Sequence, residues 1–158
     1  MSLKEIFDLP YFHGRLTDEE AYNLCQEEFT NTGKTQVFIW HLSEINGELH
    51  GKICGYRRDS EVSFVFPYPT RGLSQMPLMM LFMDDLRIEN FVERKNPLAL
   101  QELARVAILD SLDYCCLKNL IQMIDELQLP AMEKEELKKL VRGFQLILAS
   151  KIPNPNEL

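Results

Sequence analysis

Apolar and polar residues follow different patterns in the two halves of the chain, and each pattern predicts a different kind of secondary structure. In the first half, Thr17 precedes three acidic residues, which is typical of a helix N-terminus. The apolar residues Ala21, Leu24 and Cys25 then share one helical face. We therefore predict a first helix over residues 17–28.

Three predicted strands follow this helix. Residues 36–42 are bounded by turn residues and predict a buried strand, and Asn46-Gly47 is a two-residue hairpin signal that leads to a return strand over residues 49–56. A third strand begins at Val62 and ends before Pro67, because proline cannot donate a ladder hydrogen bond. Together they predict a small antiparallel sheet with a flanking helix.

The second half of the chain is predicted to be all-helical, because its apolar residues recur every three or four positions. Pro77 suits the first turn of a helix that reaches about Val92, and Asn96-Pro97 marks a new start. Further apolar stripes begin at Leu100, Leu117 and Leu137. The predicted fold class is therefore α+β, with a small antiparallel sheet followed by an all-helical C-terminal half.

The change of pattern also predicts a domain organisation. We expect residues 1–75 to form a small α+β binding domain and residues 76–150 to form a helical region. Residues 151–158 contain two prolines, and we expect them to form a flexible tail. A chain of 158 residues with 46% apolar residues is large enough to build a real core.

Composition argues against several classes of function. The net charge is −7 and the Lys and Arg residues are scattered, so nucleic acid is not an expected partner. No apolar run approaches the roughly 18–20 residues that a membrane-spanning helix needs, and the N-terminus lacks the apolar core of a secretory signal. The four cysteines match neither a disulfide framework nor a zinc site. We expect a soluble cytoplasmic protein, with a nuclear location left open, that needs no metal or cofactor.

Catalytic motifs are missing from the sequence. Residues 33–35 resemble the end of a phosphate-binding loop, but no glycine lies before Gly33 at the spacing that the loop requires. No serine lies in a G-x-S-x-G elbow. Cys25 could pair with His13 or His41, but their spacing does not favour a thiol–imidazole pair over a core thiol. We therefore predict a protein that is not an enzyme and acts by binding other proteins.

The segment PLALQELARVAI, residues 97–108, resembles the first helix of a SOCS box, with which that family binds elongin C. The family's leucine, small residue and aliphatic residue, spaced four positions apart, match Leu100, Ala104 and Ile108. Leu103 matches the leucine that precedes the small residue. The resemblance therefore implies that these four side chains contact elongin C, with Leu100 as the anchor in an apolar pocket.

The sequence L-Q-L-P, residues 127–130, resembles the LPLP element with which SOCS boxes select a cullin. Its final two residues imply that Leu129 and Pro130 contact a cullin. Two features depart from the family: Ala99 replaces the usual Ser or Thr before the first leucine, and Leu137 lies several residues too far along. Without the resemblance, the same apolar stripes predict a helical bundle whose leucines pack into its own core.

The stretch YFHGRLTDEEAYNL, residues 11–24, resembles the opening of a Src-homology-2 domain, in which an aromatic residue and His-Gly precede an acidic helix. This resemblance implies that His41 replaces the arginine that grips phosphotyrosine, and that Asp18 replaces a basic residue of the helix. Histidine cannot supply the bidentate, permanently charged contacts of arginine, and Asp18 would repel a phosphate. The implied phosphate pocket is therefore degenerate.

Two functions remain open at this point. In the first, the chain is an adaptor that serves as the substrate-recognition subunit of an elongin–cullin ubiquitin ligase. In the second, it is a self-contained regulatory or chaperone-like interaction protein, acidic and homodimeric, with no ubiquitin role. The first requires that Leu100 and Ile108 are not sealed inside the folded monomer.

Overall fold

The structure, a computed structural model, describes residues 2–57, 60–65, 90–149 and 151–152. Its helices are α1 (Leu3–Phe7), α2 (Asp18–Thr32), α3 (Leu100–Ser111), α4 (Leu117–Asp125), α5 (Ala131–Gly143) and α6 (Gln145–Ala149). Its strands are β1 (Phe12–Arg15), β2 (Gln36–Ile45), β3 (Glu48–Arg57) and β4 (Ser60–Val65). A sheet is followed by a helical C-terminal half, so the predicted α+β class is confirmed.

The four strands form one mixed sheet in the order β1-β2-β3-β4. The hairpin predicted at Asn46-Gly47 is confirmed: β2 and β3 pair antiparallel, and both turn residues have positive φ, of 52° and 78°. β4 pairs antiparallel with β3, but β1 pairs parallel with β2. The sheet is therefore not wholly antiparallel as predicted, since a fourth strand of only four residues joins its edge.

The predicted start of α2 is confirmed by its capping box. The Thr17 hydroxyl accepts a hydrogen bond from the Glu20 backbone N–H at 3.1 Å, and the Glu20 carboxylate accepts one from the Thr17 N–H at 3.3 Å. The helix continues to Thr32, beyond the predicted end at residue 28, and its C-cap is Gly33, whose φ of 65° is left-handed. Ala21 and Cys25 are its buried residues and face the sheet.

Most of the helix predicted over residues 77–92 lies outside the described residues, and so does the predicted domain boundary near residue 75. The predicted end of that helix is wrong, because Phe91 forms a parallel β-bridge with Phe38 and the Val92 N–H donates to the Phe38 carbonyl at 2.7 Å. Phe91 and Val92 are therefore paired with β2 instead of forming the end of a helix.

One hydrophobic cluster joins the sheet to the C-terminal helices. Its members from α1 and the sheet include Leu3, Phe7, Phe12, Trp40, Leu49 and Ile53. Its members from the helical half include Val106, Leu109, Leu120, Ile124, Leu137, Leu140 and Leu148. Ile152 is also buried there, and Lys151 forms an ion pair with Asp110 at 2.6 Å, so the first two residues of the predicted tail pack against the fold. The sheet and the helices thus stabilise each other.

A second, smaller cluster lies on the opposite face of the sheet, beneath α2. It contains Ala21, Cys25, Val37, Ile39, Cys54 and Val92. Side chains alternate between the two faces of a strand, so β2 sends Phe38 and Trp40 to the larger cluster and Val37 and Ile39 to the smaller one. None of the helices in the described ranges is long and apolar enough to cross a membrane.

Candidate functional site

The two faces of α3 have opposite environments. Its inner face carries Glu102, Val106 and Leu109, which are buried against the rest of the protein. Its outer face begins with Leu100, whose side chain is 82% exposed. Transfer of a leucine side chain from water to an apolar site is favourable by roughly 1.5–3 kcal/mol. The Leu100 side chain remains exposed to water in the isolated chain, so burial by a partner would supply this free energy.

The outer face continues along α3 through residues at helical spacing from Leu100. Ala104 and Ala107 are exposed, and Ile108 is half-buried. We call the surface formed by Leu100, Ala104, Ala107 and Ile108 the α3 face. Its small central residues leave the helix backbone open to close approach, with a large apolar side chain at its N-terminal end.

The structure separates the four side chains that the SOCS-box resemblance assigns to elongin binding. Leu100 and Ala104 are exposed on the α3 face, and neither contributes to the core. Leu103 and Ile108 are half-buried and pack against the large cluster. Leu103 therefore stabilises the fold from the flank of the helix, whereas Ile108 lies at the border between the core and the α3 face.

Hydrogen bonds hold the N-terminal turns of α3 and α5 side by side. Gln101 Nε2 donates to Glu133 Oε1 at 2.9 Å, and the guanidinium of Arg105 donates to both Glu133 oxygens at 3.0 Å. These contacts lower the pKa of Glu133, chiefly through the Arg105 hydrogen bond. Met132, the neighbour of Glu133, is 76% exposed. Leu100 and Met132, the exposed large hydrophobic residues of the described ranges, thus lie at the starts of two neighbouring helices.

A buried carboxylate fixes how α3 lies against the rest of the molecule. Glu102 is 7% exposed and accepts hydrogen bonds from Arg15 Nε of β1 at 3.1 Å and from Arg105 Nη1 at 3.0 Å. Arg15 also forms an ion pair with Glu136 of α5. A buried charge is tolerated only when it is paired, so this network ties the sheet, α3 and α5 into one arrangement. It presents the α3 face on a rigid support.

Replacing Glu102 by glutamine is expected to destabilise the protein by roughly 2 kcal/mol, because two partly buried guanidiniums lose the charge between them while Glu133 and Glu136 continue to pair with them. The free energy of unfolding in urea measures this effect. Glu126→Gln, at the exposed C-cap of α4, is the matched control and should change stability by less than about 0.5 kcal/mol. Equal stability of the two variants would contradict a supporting role for Glu102.

The residues predicted to contact a cullin lie just before α5. Leu129 is half-buried and packs against the large cluster, while Pro130 is exposed and occupies the N-cap position of α5. Pro130 is therefore open to a partner on the same helix end as Met132, two residues further on. Leu129 presents only part of its side chain.

His41 is buried inside the fold. It is 0% exposed, and its Nε2 lies 3.6 Å from Cys54 Sγ beneath α2. The positive charge in this region belongs to Lys52, which donates to Asp18 Oδ2 at 2.7 Å, and Ser43 donates to Asp18 Oδ1 at 3.3 Å. The hydrogen bond from Lys52 is the main reason that the pKa of Asp18 is lowered. Asp18, a carboxylate of the same chain, is thus already paired with the cation that a phosphate would need.

The cavity beside Asp18 has the wrong charge for a phosphate. It has a volume of about 580 Å³, and Asp18, Glu20 and Glu44 supply carboxylates to its lining. Arg15 also lines it, but that guanidinium is already paired with Glu102 and Glu136. The arrangement disfavours a phosphate group because of charge repulsion and because its cations are engaged.

Two residues that shape these sites were not identified from the sequence. Glu102 lies at helical spacing from Val106 and Leu109. An acidic residue in line with these apolar positions could have predicted a buried, paired carboxylate. Lys52 lies in the middle of β3, on the same side as Cys54 and opposite His41 in the β2–β3 ladder. Within the ranges that the structure describes, no group of three or more His, Cys, Asp or Glu side chains is placed to hold a metal ion.

No protein-family model matches the chain, and comparison with curated proteins and with solved structures gives no significant match. Any assignment of function therefore depends on the geometry of the molecule and on the two sequence resemblances.

Proposed function

We propose that the chain is a non-catalytic adaptor that binds another protein through the α3 face. The observation that carries this proposal is the 82% exposure of Leu100 on a helix whose other side is firmly packed. Apolar anchors on preformed helices bind tightly because little conformational entropy is lost on association. The buried network around Glu102 supplies that preorganisation.

We propose elongin C as the partner of the α3 face. Residues 97–108 match the elongin-binding pattern of SOCS boxes, and two of the matched positions, Leu100 and Ala104, are exposed as a docking helix requires. Leu100 would enter an apolar pocket while Ala104 permits close approach of the partner. Pro130, exposed at the start of α5, would then face a cullin. This function implies a cytoplasmic location and a client that is chosen by the N-terminal part of the chain.

The alternative of a self-sufficient homodimer has weaker support from the surface. A stable dimer buries roughly 800 Å² on each subunit around an apolar centre. In the described ranges, Leu100 and Met132 are the large hydrophobic side chains that are exposed. Two such residues suit a docking helix better than a broad dimer interface.

Co-expression with elongins B and C tests the proposed function. We expect the wild-type chain to co-purify with both elongins, and the Leu100→Asp variant to purify without them. Asn23→Asp adds the same charge at an exposed position of α2 and is the matched control, which should retain both elongins. Absence of elongins from all three preparations would refute the ligase function, and a stable dimer of the wild-type chain alone would then support the alternative.

A further inference from the structure

Two cysteines and a histidine meet in the small cluster beneath α2. Cys25 of α2 and Cys54 of β3 are free thiols that are 0% and 1% exposed. The Cys25 thiol donates a hydrogen bond to the Cys54 carbonyl at 3.6 Å. On the other side, Cys54 Sγ lies 3.6 Å from Nε2 of the fully buried His41. The three groups thus form a continuous chain from the helix to the centre of the sheet.

The surroundings give the two thiols different chemistry. The contact with the Cys25 side chain, together with that to His41, lowers the pKa of Cys54 against the opposing effects of burial and of Asp18. The same contact with Cys54 and its own burial raise the pKa of Cys25. Cys54 is therefore the nucleophile of the pair, because its Sγ lies 3.6 Å from an imidazole nitrogen that can take its proton and the thiolate is the reactive form of cysteine. Cys25 remains a thiol.

We infer that Cys25 and Cys54 are an oxidisable dithiol that a hydroperoxide converts into a disulfide between α2 and β3, with His41 as the proton acceptor of Cys54. This inference is independent of the proposed binding function. It also accounts for a histidine at a position where the Src-homology-2 resemblance would require an arginine. The ring serves the buried thiol, to which it lies close.

The reaction takes place in two steps. The Cys54 thiolate attacks the terminal oxygen of the hydroperoxide, the O–O bond breaks, and the departing alkoxide or hydroxide takes the proton that His41 received from Cys54. Cys54 is then a sulfenic acid. The sulfur of Cys25 attacks the Cys54 sulfur, the S–S bond forms as the S–O bond breaks, and water leaves with the Cys25 proton. Two thiols lose two electrons in total, and the hydroperoxide gains them.

The disulfide would tie α2 to the sheet. It would close a loop of 28 intervening residues, which restricts the unfolded chain more than the folded one. We therefore expect the oxidised protein to melt roughly 5–10 °C above the reduced protein.

The experiment uses the full chain carrying Cys115→Ser and Cys116→Ser, so that the neighbouring thiols cannot react. Cys116 caps α4 by accepting from the Asn119 N–H, and a serine hydroxyl can make the same contact. The folded protein is treated with hydrogen peroxide, quenched and mapped by peptide mass spectrometry. We expect a Cys25–Cys54 disulfide, loss of both titratable thiols and the higher melting temperature.

Two further variants test the assigned roles. In Cys25→Ser, Cys54 should accumulate as a sulfenic acid that dimedone traps, with no disulfide. In His41→Gln, disulfide formation should be roughly tenfold slower. Persistence of both thiols at peroxide concentrations that oxidise the exposed Cys115 of the parent chain would overturn the inference. Dimedone labelling of Cys25 instead of Cys54 would overturn the assigned roles, and this readout does not require that the His41 variant folds.

Discussion

Replacing Leu100 by aspartate is expected to weaken binding to the elongin B–C complex by roughly 100-fold. Burial of a leucine contributes roughly 1.5–3 kcal/mol, and desolvation of the new carboxylate adds to the loss, while each 1.4 kcal/mol changes affinity by about tenfold. Stability should be unaffected, because the side chain is 82% exposed in the isolated chain. Isothermal titration calorimetry measures the affinity, and a thermal melt followed by circular dichroism measures the stability.

The pattern across several variants separates a docking role from a structural one. Ala104→Arg, one turn along the α3 face, should also weaken binding without lowering the melting temperature. Leu103→Asp should instead destabilise the protein, since Leu103 packs against the large cluster. Wild-type affinity in the Leu100 variant would show that the α3 face is not the binding surface.

Replacing Gly55 by alanine is expected to destabilise the protein by about 3–5 kcal/mol, a large share of the 5–15 kcal/mol typical of a folded domain. A Cβ atom at this position would lie 1.9 Å from the Val37 carbonyl oxygen and 2.9 Å from its carbon. Gly55 lies opposite Phe38 in the β2–β3 ladder, so the strands can separate only by giving up hydrogen bonds. The free energy of unfolding in urea measures the loss.

Gly33→Ala is the control for Gly55→Ala. A Cβ atom at Gly33 would meet nothing within 4 Å, and only the left-handed φ of 65° opposes it. That conformational strain costs about 1 kcal/mol. Equal stability of the Gly55→Ala and Gly33→Ala variants would contradict the close approach of β2 and β3 at Gly55.

Local signals in the sequence were sufficient to predict several elements. The cap at Thr17, the Asn46-Gly47 turn and the stripe that begins at Leu100 each specify their element through neighbouring residues alone. α1 has the same kind of signal, since Ser2 and Glu5 form a capping box, but the helix has only five residues and was not predicted. β1 has only four residues, and its pairing depends on β2, which lies more than 20 residues further along the chain.

Periodicity could not reveal the break in the last helical stripe. Residues 137–148 have one continuous apolar pattern, yet α5 ends at Gly143 and α6 begins at Gln145. Phe144 between them has φ of −126° and ψ of 33°, and its ring packs against Phe7 of α1. Tertiary packing against α1 therefore decides the direction of the final turn.

The apolar pattern of α3 also could not predict which side of the helix is exposed. Leu103, Val106 and Leu109 form one apolar stripe, and Leu100, Ala104 and Ile108 form another, so hydrophobicity alone does not say which one faces inward. Glu102 on the inner side is stabilised by Arg15, which is 87 residues away in sequence. Pairing between such distant residues determines which stripe is exposed.

Hydrogen–deuterium exchange of the wild-type chain, with and without the purified elongin B–C complex, is the most direct test of binding through the α3 face. We predict slower exchange in peptides that cover residues 97–111 when the complex forms, with α2 unchanged on the far side of the sheet. Unaltered exchange in α3 within a formed complex, or failure to form a complex, would contradict the central claim.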